Sequence, residues 1–191
     1  KQEYENESDP VKKKEIGKLV ARYDNLQLAK KVSLNSAYGA LGSQYFRFYD
    51  DRIAEGITLT GQYIIQHVGR SLNEYLNKVC KTSDVEYTFY SDTDSCYITL
   101  ENLVKTLPAG LDKSKITDMI DIFCKEKIAT VLSKACNEIA TMTNAYDNKM
   151  EFKREVIADR AIWVAKKRYA LNVFDSEGVR YKEPKLKVQG L

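Results

Sequence analysis

Two aspartates separated by a single residue, Asp92 and Asp94, are the side chains of this sequence best suited to chemistry. They lie in the run YTFYSDTDSCYITL, residues 87–100, whose flanks are aromatic or β-branched and whose centre is rich in turn residues. This pattern predicts a β-hairpin with both carboxylates at its tip. Because residues i and i+2 of an extended strand point to the same side, we expect the two carboxylates to converge on one cation or on two cations that share a site.

A paired carboxylate of this kind suits a hard cation. Mg²⁺ is held by a few carboxylate oxygens together with substrate phosphates. Two such ions about 4 Å apart can stabilise both the attacking and the leaving oxygen of a phosphoryl transfer. A solvated acidic turn has the same composition, since Asp and Ser are ordinary turn residues, and the spacing alone favours neither interpretation.

A second candidate set combines a cation, an amide and an aromatic ring. Lys31, Asn35 and Tyr38 stand at positions i, i+4 and i+7 near the end of an apolar pattern that predicts a long helix from Ser8 to Gly39. One face of that helix would present groups able to meet a phosphate, a hydrogen-bonding edge and a base. A half-buried surface stripe would show the same spacing.

The charge of the chain is unevenly distributed. Its 191 residues include 30 Lys and Arg against 27 Asp and Glu, a formal net charge of +3 that permits a polyanionic partner. Basic residues outnumber acidic ones by seven to two in residues 10–31 and by seven to three in residues 166–191. The sequence contains no apolar run of membrane-spanning length, and its four cysteines and one histidine form no zinc pattern, which argues against a membrane-spanning or zinc-binding protein.

Apolar periodicity predicts further helices and strands. The clearest helix covers Ile53 to Val79 after a cap at Asp50 or Asp51, and another covers residues 112–144. The aromatic cluster at residues 45–49 predicts a core plug or a short strand.

Strand-like segments follow at residues 150–158 and 161–174, on either side of Asp159 and Arg160, and a turn at 175–178 leads into a last strand. The predicted class is α+β, an antiparallel sheet with helices packed on one face and one protruding helix. The chain begins without Met and ends abruptly at Gly190 and Leu191, so we expect it to be a piece of a longer polypeptide.

Three short motifs occur in order along the chain: KVSLNSAYG at residues 31–39, YSDTDS at 90–95 and KKRY at 166–169. Together they resemble three motifs of the family B DNA polymerases, and the words around them resemble those of the T-even bacteriophage members. The flanking words RFYDDRIAEGITLTGQ and LNEYLNKVC agree with this resemblance, as does the final stretch from Tyr169. The resemblance covers essentially the whole chain and is weakest before Arg22 and from Val104 to Asn148.

The resemblance implies a division into polymerase subdomains. Residues 1–41 would be the C-terminal half of the fingers, and residues 42–191 would be the palm after the fingers, ending before the thumb. In the fingers, Lys31 and Asn35 would face the incoming deoxynucleoside triphosphate, and Tyr38 would lie beside the nascent base pair.

The resemblance also implies the roles of the palm residues. Asp94 would be the standard catalytic metal ligand, Asp92 a more variable contributor, and Glu155 an acid near the metals. The basic motif would hold the primer-terminal region of the DNA through Lys166, Lys167, Arg168 and Tyr169.

The implied activity is that of a DNA-directed DNA polymerase, a nucleotidyltransferase that uses two Mg²⁺ ions, with Mn²⁺ as a substitute. Primer-template DNA and deoxynucleoside triphosphates would be its partners, and the cytoplasm of a bacterial host cell its location. The family's other catalytic aspartate lies in a serine-leucine-tyrosine-proline motif that this sequence lacks. We therefore expect the chain to be inactive alone and to need an N-terminal polymerase portion, in cis or as a separate chain. Two alternatives stay open: another two-metal phosphotransferase or nuclease, and a non-catalytic DNA-binding module.

Overall fold

The computed structural model describes residues 2–108 and 110–190, which divide into two compact units, one extending to Thr60 and one from Gly61 onward. The elements are α1 (Gln2–Asn6), α2 (Pro10–Leu41), α3 (Asp51–Cys80), β1 (Thr88–Asp92), β2 (Ser95–Ile98), α4 (Glu101–Lys105), α5 (Lys113–Phe123), a π-helical segment (Cys124–Ile128), α6 (Ala129–Met142), β3 (Val156–Ala165), β4 (Arg168–Ser176) and β5 (Val179–Gln189). Within the described residues, no helix is long and apolar enough to cross a membrane.

Helix α2 is the long helix predicted from the sequence. The Asp9 side chain caps it by accepting a hydrogen bond from the backbone N–H of Val11 at 2.9 Å, and Pro10 occupies the first helical position. The helix ends at Leu41, with Gly42 as its C-cap. None of its described residues is buried, because its polar and apolar side chains are spread around the helix axis without forming one apolar face.

Helix α3 confirms the second predicted helix and carries the largest core of the Gly61-onward unit. Asp50 caps it by accepting a hydrogen bond from the backbone N–H of Arg52 at 3.1 Å. The apolar face of its C-terminal half packs beneath the first hairpin and against the π-helical segment and α6. The buried members of this core are Val68, Leu72, Leu76, Tyr87, Cys124, Ile128 and Ala135. The helix predicted over residues 112–144 is present as α5 and α6, joined by the π-helical segment.

The prediction of a core plug or strand at residues 45–49 is wrong. These residues form turns between α2 and α3, and Tyr45 and Phe48 are 90% and 66% exposed. Successive backbone hydrogen bonds, from Phe46 to Ser43 and from Tyr49 to Phe46, curl the chain so that the aromatic rings have no strand partner.

The α+β class is confirmed, with the strands divided between two antiparallel sheets, β1–β2 and β3–β4–β5. The predicted break at Asp159 and Arg160 is wrong, because β3 continues through both residues. The Asp159 carboxylate accepts hydrogen bonds from Lys113 at 2.5 Å and from Asn172 at 2.6 Å, which satisfy its charge within the sheet. Burial disfavours the charged carboxylate and so raises the pKa of Asp159, but the hydrogen bonds from Lys113 and Asn172 outweigh it and the pKa is lowered. The turn instead falls at residues 166–167, within the KKRY motif.

A buried ion network fixes the three-stranded sheet against α5. The Arg154 guanidinium pairs with Asp175, which is 2% exposed, and with Asp121 of α5 at 2.5 Å. Arg180 completes the network through Asp175 at 3.5 Å and Asp118 at 2.9 Å. Because a buried carboxylate must be paired, this network fixes the C-terminal end of β4, and the Gly178 backbone N–H, which donates to Asp175 at 3.0 Å, ties the following turn to it.

Candidate functional site

The tip of the β1–β2 hairpin carries both predicted aspartates. Asp92 is the last residue of β1 and pairs with Ser95, so that Thr93 and Asp94 form a two-residue turn. The same-side argument from strand geometry does not hold, because Asp94 lies in the turn and not in a strand. The hairpin itself, with both carboxylates at its tip, is confirmed.

The turn at this tip is strained. Thr93 has a φ angle of 56°, in the left-handed region that a β-branched residue rarely adopts, and the backbone N–H of Asp94 donates to the carbonyl of Asp92 at 2.7 Å. A residue in such a conformation costs about 1–3 kcal/mol and is found most often at functional sites.

The two carboxylates have different surroundings. Asp92 is 23% exposed, accepts a hydrogen bond from Thr93 Oγ1 at 3.0 Å and pairs with Lys167 Nζ at 3.4 Å. Asp94 is exposed, and its side chain has no hydrogen bond or ion pair with any residue that the structure describes. Asp94 is therefore open to an external cation, whereas Asp92 already has a counter-ion.

The donor chemistry of this tip fits Mg²⁺ in kind, since carboxylate oxygens are hard ligands. Over residues 2–108 and 110–190 there is no cluster of three or more His, Cys, Asp or Glu side chains that could hold a metal ion. Glu155 is thus not joined to Asp92 and Asp94 in such a cluster. It is exposed just before β3, and its charge adds a smaller contribution to the raised pKa of Tyr97, which burial mainly causes. An ion at the hairpin would need water, substrate oxygens or a further carboxylate to complete its coordination.

Lys166 and Lys167 of the KKRY motif form the turn between β3 and β4, called the basic turn below. It lies next to the β1–β2 hairpin, called the acidic hairpin. Lys167 has a φ angle of 63°, and its backbone N–H donates to the hydroxyl of Tyr90 at 3.0 Å. Gly190 lies so close to the Lys167 carbonyl that any Cβ there would overlap it. Contacts from both sides therefore fix the backbone of this turn, while the side chains of Lys166, Lys167 and Arg168 stay exposed.

An aromatic cluster joins the two sheets behind these turns. Trp163 is its centre, with the rings of Phe89, Tyr90, Tyr97 and Tyr169 at centroid distances of 4.9–5.8 Å. An irregularity in the β1–β2 register at Phe89 lets two consecutive residues, Phe89 and Tyr90, both contact the indole. Sequence reasoning missed this cluster because strand alternation would have put those two side chains on opposite faces.

Tyr169, predicted to bind DNA, lies inside the cluster and is only 9% exposed. Its hydroxyl accepts a hydrogen bond from the Tyr97 hydroxyl at 2.8 Å. Burial, together with this hydrogen bond, raises the pKa of Tyr97, which keeps its hydroxyl protonated and able to donate. Tyr169 thus anchors the basic turn and does not present its ring to solvent.

The predicted nucleotide-contacting residues lie in the other unit, on α2. Lys31, Asn35 and Tyr38 fall within one uninterrupted stretch of helix and are all exposed. Their spacing therefore puts them on one helical face.

Comparison with known proteins identifies one family. The model of DNA polymerase family B matches residues 1–191. The chain is 39% identical over 175 residues to the DNA-directed DNA polymerase of Escherichia phage RB69, and 40% identical over 177 residues to that of Enterobacteria phage T4. Each match covers 86% of this chain but only 19% and 20% of the phage proteins. A DNA polymerase of Red sea bream iridovirus is 30% identical over 157 residues, 81% of this chain and 13% of that protein. The chain thus spans about a fifth of the length of its phage relatives.

Proposed function

The chain belongs to DNA polymerase family B, and from that premise we propose that it supplies part of the nucleotidyl-transfer machinery of a DNA-directed DNA polymerase. The observation that carries the proposal is the meeting of an acidic and a basic motif. The Lys167 ammonium lies 3.4 Å from the Asp92 carboxylate, although the two residues are 75 positions apart in the sequence. Metal-binding and phosphate-binding groups have to be adjacent in a polymerase, because the primer terminus must lie beside the ions.

In this proposal the hairpin holds Mg²⁺. Asp94 is the principal ligand because its carboxylate is exposed and has no partner among the described residues, and Asp92 is the secondary ligand. In the complete enzyme two ions would be bound, with Mn²⁺ able to substitute, and they would neutralise charge on the reacting phosphates. Glu155 stays a prediction as a further acid near the metals.

The proposed reaction joins a primer 3′-hydroxyl to the α-phosphorus of a deoxynucleoside triphosphate. The 3′-hydroxyl gives its proton to water, its oxygen forms a P–O bond to the α-phosphorus, the bond from the α-phosphorus to the bridging oxygen breaks, and pyrophosphate leaves with that electron pair. Lys31 would neutralise charge on this leaving group. Asn35 and Tyr38, on the same helical face, would contact the triphosphate and the nascent base pair.

The basic turn would hold the primer end of the duplex. Lys166, Lys167 and Arg168 are exposed at its surface, and cations on DNA phosphates supply sequence-independent affinity. Tyr169 would act through the turn that it anchors, since its ring is buried.

Two further parts of the proposal concern organisation. Residues 1–41 would belong to the fingers and residues 42–191 to the palm, a boundary at the end of α2. Because the chain spans about a fifth of its phage relatives, catalysis would also require an N-terminal polymerase portion that supplies another aspartate, in cis or as a separate chain. The site of action would be the cytoplasm of the host cell.

Primer extension by a chimera tests this function. The chain replaces the matching segment of the Enterobacteria phage T4 polymerase, and extension of a primed template is followed with triphosphates and Mg²⁺. We expect template-directed extension by the chimera and none by the chain alone. A folded chimera that binds primer-template DNA but never extends it would favour a non-catalytic DNA-binding module. Extension by a verified monomer of the chain alone would contradict the need for another aspartate.

A further inference from the structure

We propose that Tyr90 is a positioning residue for Lys167. The Tyr90 hydroxyl fixes the basic turn beside the acidic hairpin, so that the Lys167 ammonium can reach a DNA phosphate there. The proposal rests on the proposed function for the identity of the phosphate. It assigns Tyr90 a task that its place in a strand does not require, since its hydroxyl makes no contribution to the β1–β2 ladder.

The first support is the hydrogen bond itself. Lys167 adopts a left-handed conformation with a φ angle of 63°, which a residue with a side chain adopts only when its surroundings impose it. The Tyr90 hydroxyl accepts the Lys167 backbone N–H at 3.0 Å, and this is the backbone donor at the strained residue. The hydrogen bond therefore stabilises the turn conformation in which the Lys167 ammonium lies beside the hairpin.

The second support is the fixed position of the tyrosine. The centroid of its ring lies 5.8 Å from that of Trp163 and 5.4 Å from that of Tyr97, and this packing fixes the position of the hydroxyl. The indole belongs to β3, which leads into the same turn. On the other side Gly190 lies so close to the Lys167 carbonyl that a side chain there would overlap it, and this close packing limits movement of the turn.

The third support is where the side chain goes. Lys167 Nζ reaches Asp92 at 3.4 Å while the lysine side chain stays 62% exposed. Exposed ion pairs of this kind contribute little to stability, so a phosphate can readily take the place of Asp92. A residue that binds a phosphate beside a metal site needs a fixed backbone and a side chain that can change partner. The Lys167 ammonium can move from Asp92 to a phosphate while the Lys167 backbone stays in place.

The test is a double-mutant cycle on DNA binding, measured in EDTA at several salt concentrations with the 191-residue chain and primer-template duplex. Tyr90→Phe removes only the hydroxyl. We expect it to weaken binding about three- to tenfold, the range of one hydrogen bond, and to lower the salt slope by about 0.9, one phosphate contact. Lys167→Gln should do the same, and the double variant should be no weaker than Lys167→Gln alone.

Tyr63→Phe is the matched control, because among the described residues the Tyr63 hydroxyl hydrogen-bonds the Met142 sulfur alone, at 3.5 Å, in the same unit of the protein. It should bind DNA as the parent does. Wild-type affinity and salt slope in Tyr90→Phe, or losses that multiply in the double variant, would overturn the inference.

Amide hydrogen exchange tests the same contact without DNA. The Lys167 N–H should be protected in the parent and should exchange about tenfold faster in Tyr90→Phe, with no change in Tyr63→Phe. If Tyr90→Phe does not fold, the exchange rate of the Lys167 N–H in the parent is the test. Exchange at the rate of an unstructured peptide would overturn the inference. A parent that binds no DNA would contradict the proposed contact of the basic turn with a DNA phosphate, whereas its Lys167 protection would still show whether Tyr90 holds the turn.

Discussion

At the scale of single residues, the structure separates two carboxylates that the sequence presents as a pair. Asp92 is partly buried and faces Lys167, whereas Asp94 is exposed in a strained turn without a partner among the described residues. A cation arriving at Asp92 must displace an ammonium group, and one arriving at Asp94 displaces only water. This difference gives a physical reason for assigning Asp94 the larger role.

The proposal also gives different tasks to two exposed lysines, Lys31 on α2 and Lys167 in the basic turn. Lys31→Ala should raise the triphosphate KM about tenfold or more, the effect of one charge-assisted hydrogen bond, with primer-template affinity unchanged. Lys167→Ala should instead weaken primer-template binding and lower its salt slope by about 0.9. Both variants are to be compared in the polymerase chimera by steady-state kinetics and DNA titration.

Lys12→Ala is the control for this comparison, because Lys12 is an exposed lysine on α2 outside the proposed contact face. It should leave both parameters unchanged. Indistinguishable defects in the Lys31 and Lys167 variants would contradict the separate roles.

At the scale of secondary-structure elements, the helices and the acidic hairpin could be predicted because their signals are local. The sequence alone indicates the helix caps at Asp9 and Asp50, the apolar periodicity of α3 and the turn between two runs of β-forming residues. Asp159 and Arg160 resemble a turn in sequence, whereas the β3–β4 pairing on either side of Asp159 and its contacts with Lys113 and Asn172 keep it in the strand.

The candidate site was predictable only in its parts. Each motif could be identified along the chain, but the hydrogen bond from Lys167 to Tyr90 joins residues 77 positions apart and leaves no periodic signal. The register irregularity at Phe89 that brings both aromatic rings onto Trp163 is likewise a tertiary property. Burial of Tyr169 followed from this cluster and could not be read from the KKRY motif.

The ion network behind β4 gives a stability prediction at this scale. Arg154→Ala would remove the close ion pair of the buried Asp175 carboxylate and leave it the Gly178 backbone N–H at 3.0 Å and Arg180 at 3.5 Å. It should lower the free energy of unfolding by about 3 kcal/mol. Urea unfolding followed by circular dichroism measures this change. Lys153→Ala, which removes an exposed pair with Glu151, should change it by less than about 0.5 kcal/mol. Equal stability losses in the two variants would show that the buried network does not hold the sheet.

At the scale of the whole molecule, this chain of DNA polymerase family B carries three separated motifs on two compact units. The acidic and basic motifs meet in the unit from Gly61 onward, and the lysine–asparagine–tyrosine face lies on α2. Helix α2 buries none of its described residues, so its fold depends on capping and on backbone hydrogen bonds more than on a core. A metal site limited to Asp92 and Asp94 lacks part of a ligand set, which agrees with the proposed requirement for a further polymerase portion.

The most direct test of this account is single-turnover nucleotide incorporation by the polymerase chimera with Asp94→Asn, beside its parent. The substitution keeps the size of the side chain and removes its charge. We predict that the incorporation rate falls more than about 100-fold, beyond the loss expected when a group only supports a metal ligand. Primer-template affinity should stay within about twofold of the parent value, because DNA affinity comes from contacts of Lys and Arg side chains with phosphates. Near-normal incorporation by Asp94→Asn would contradict the assignment of the acidic hairpin as the catalytic metal site.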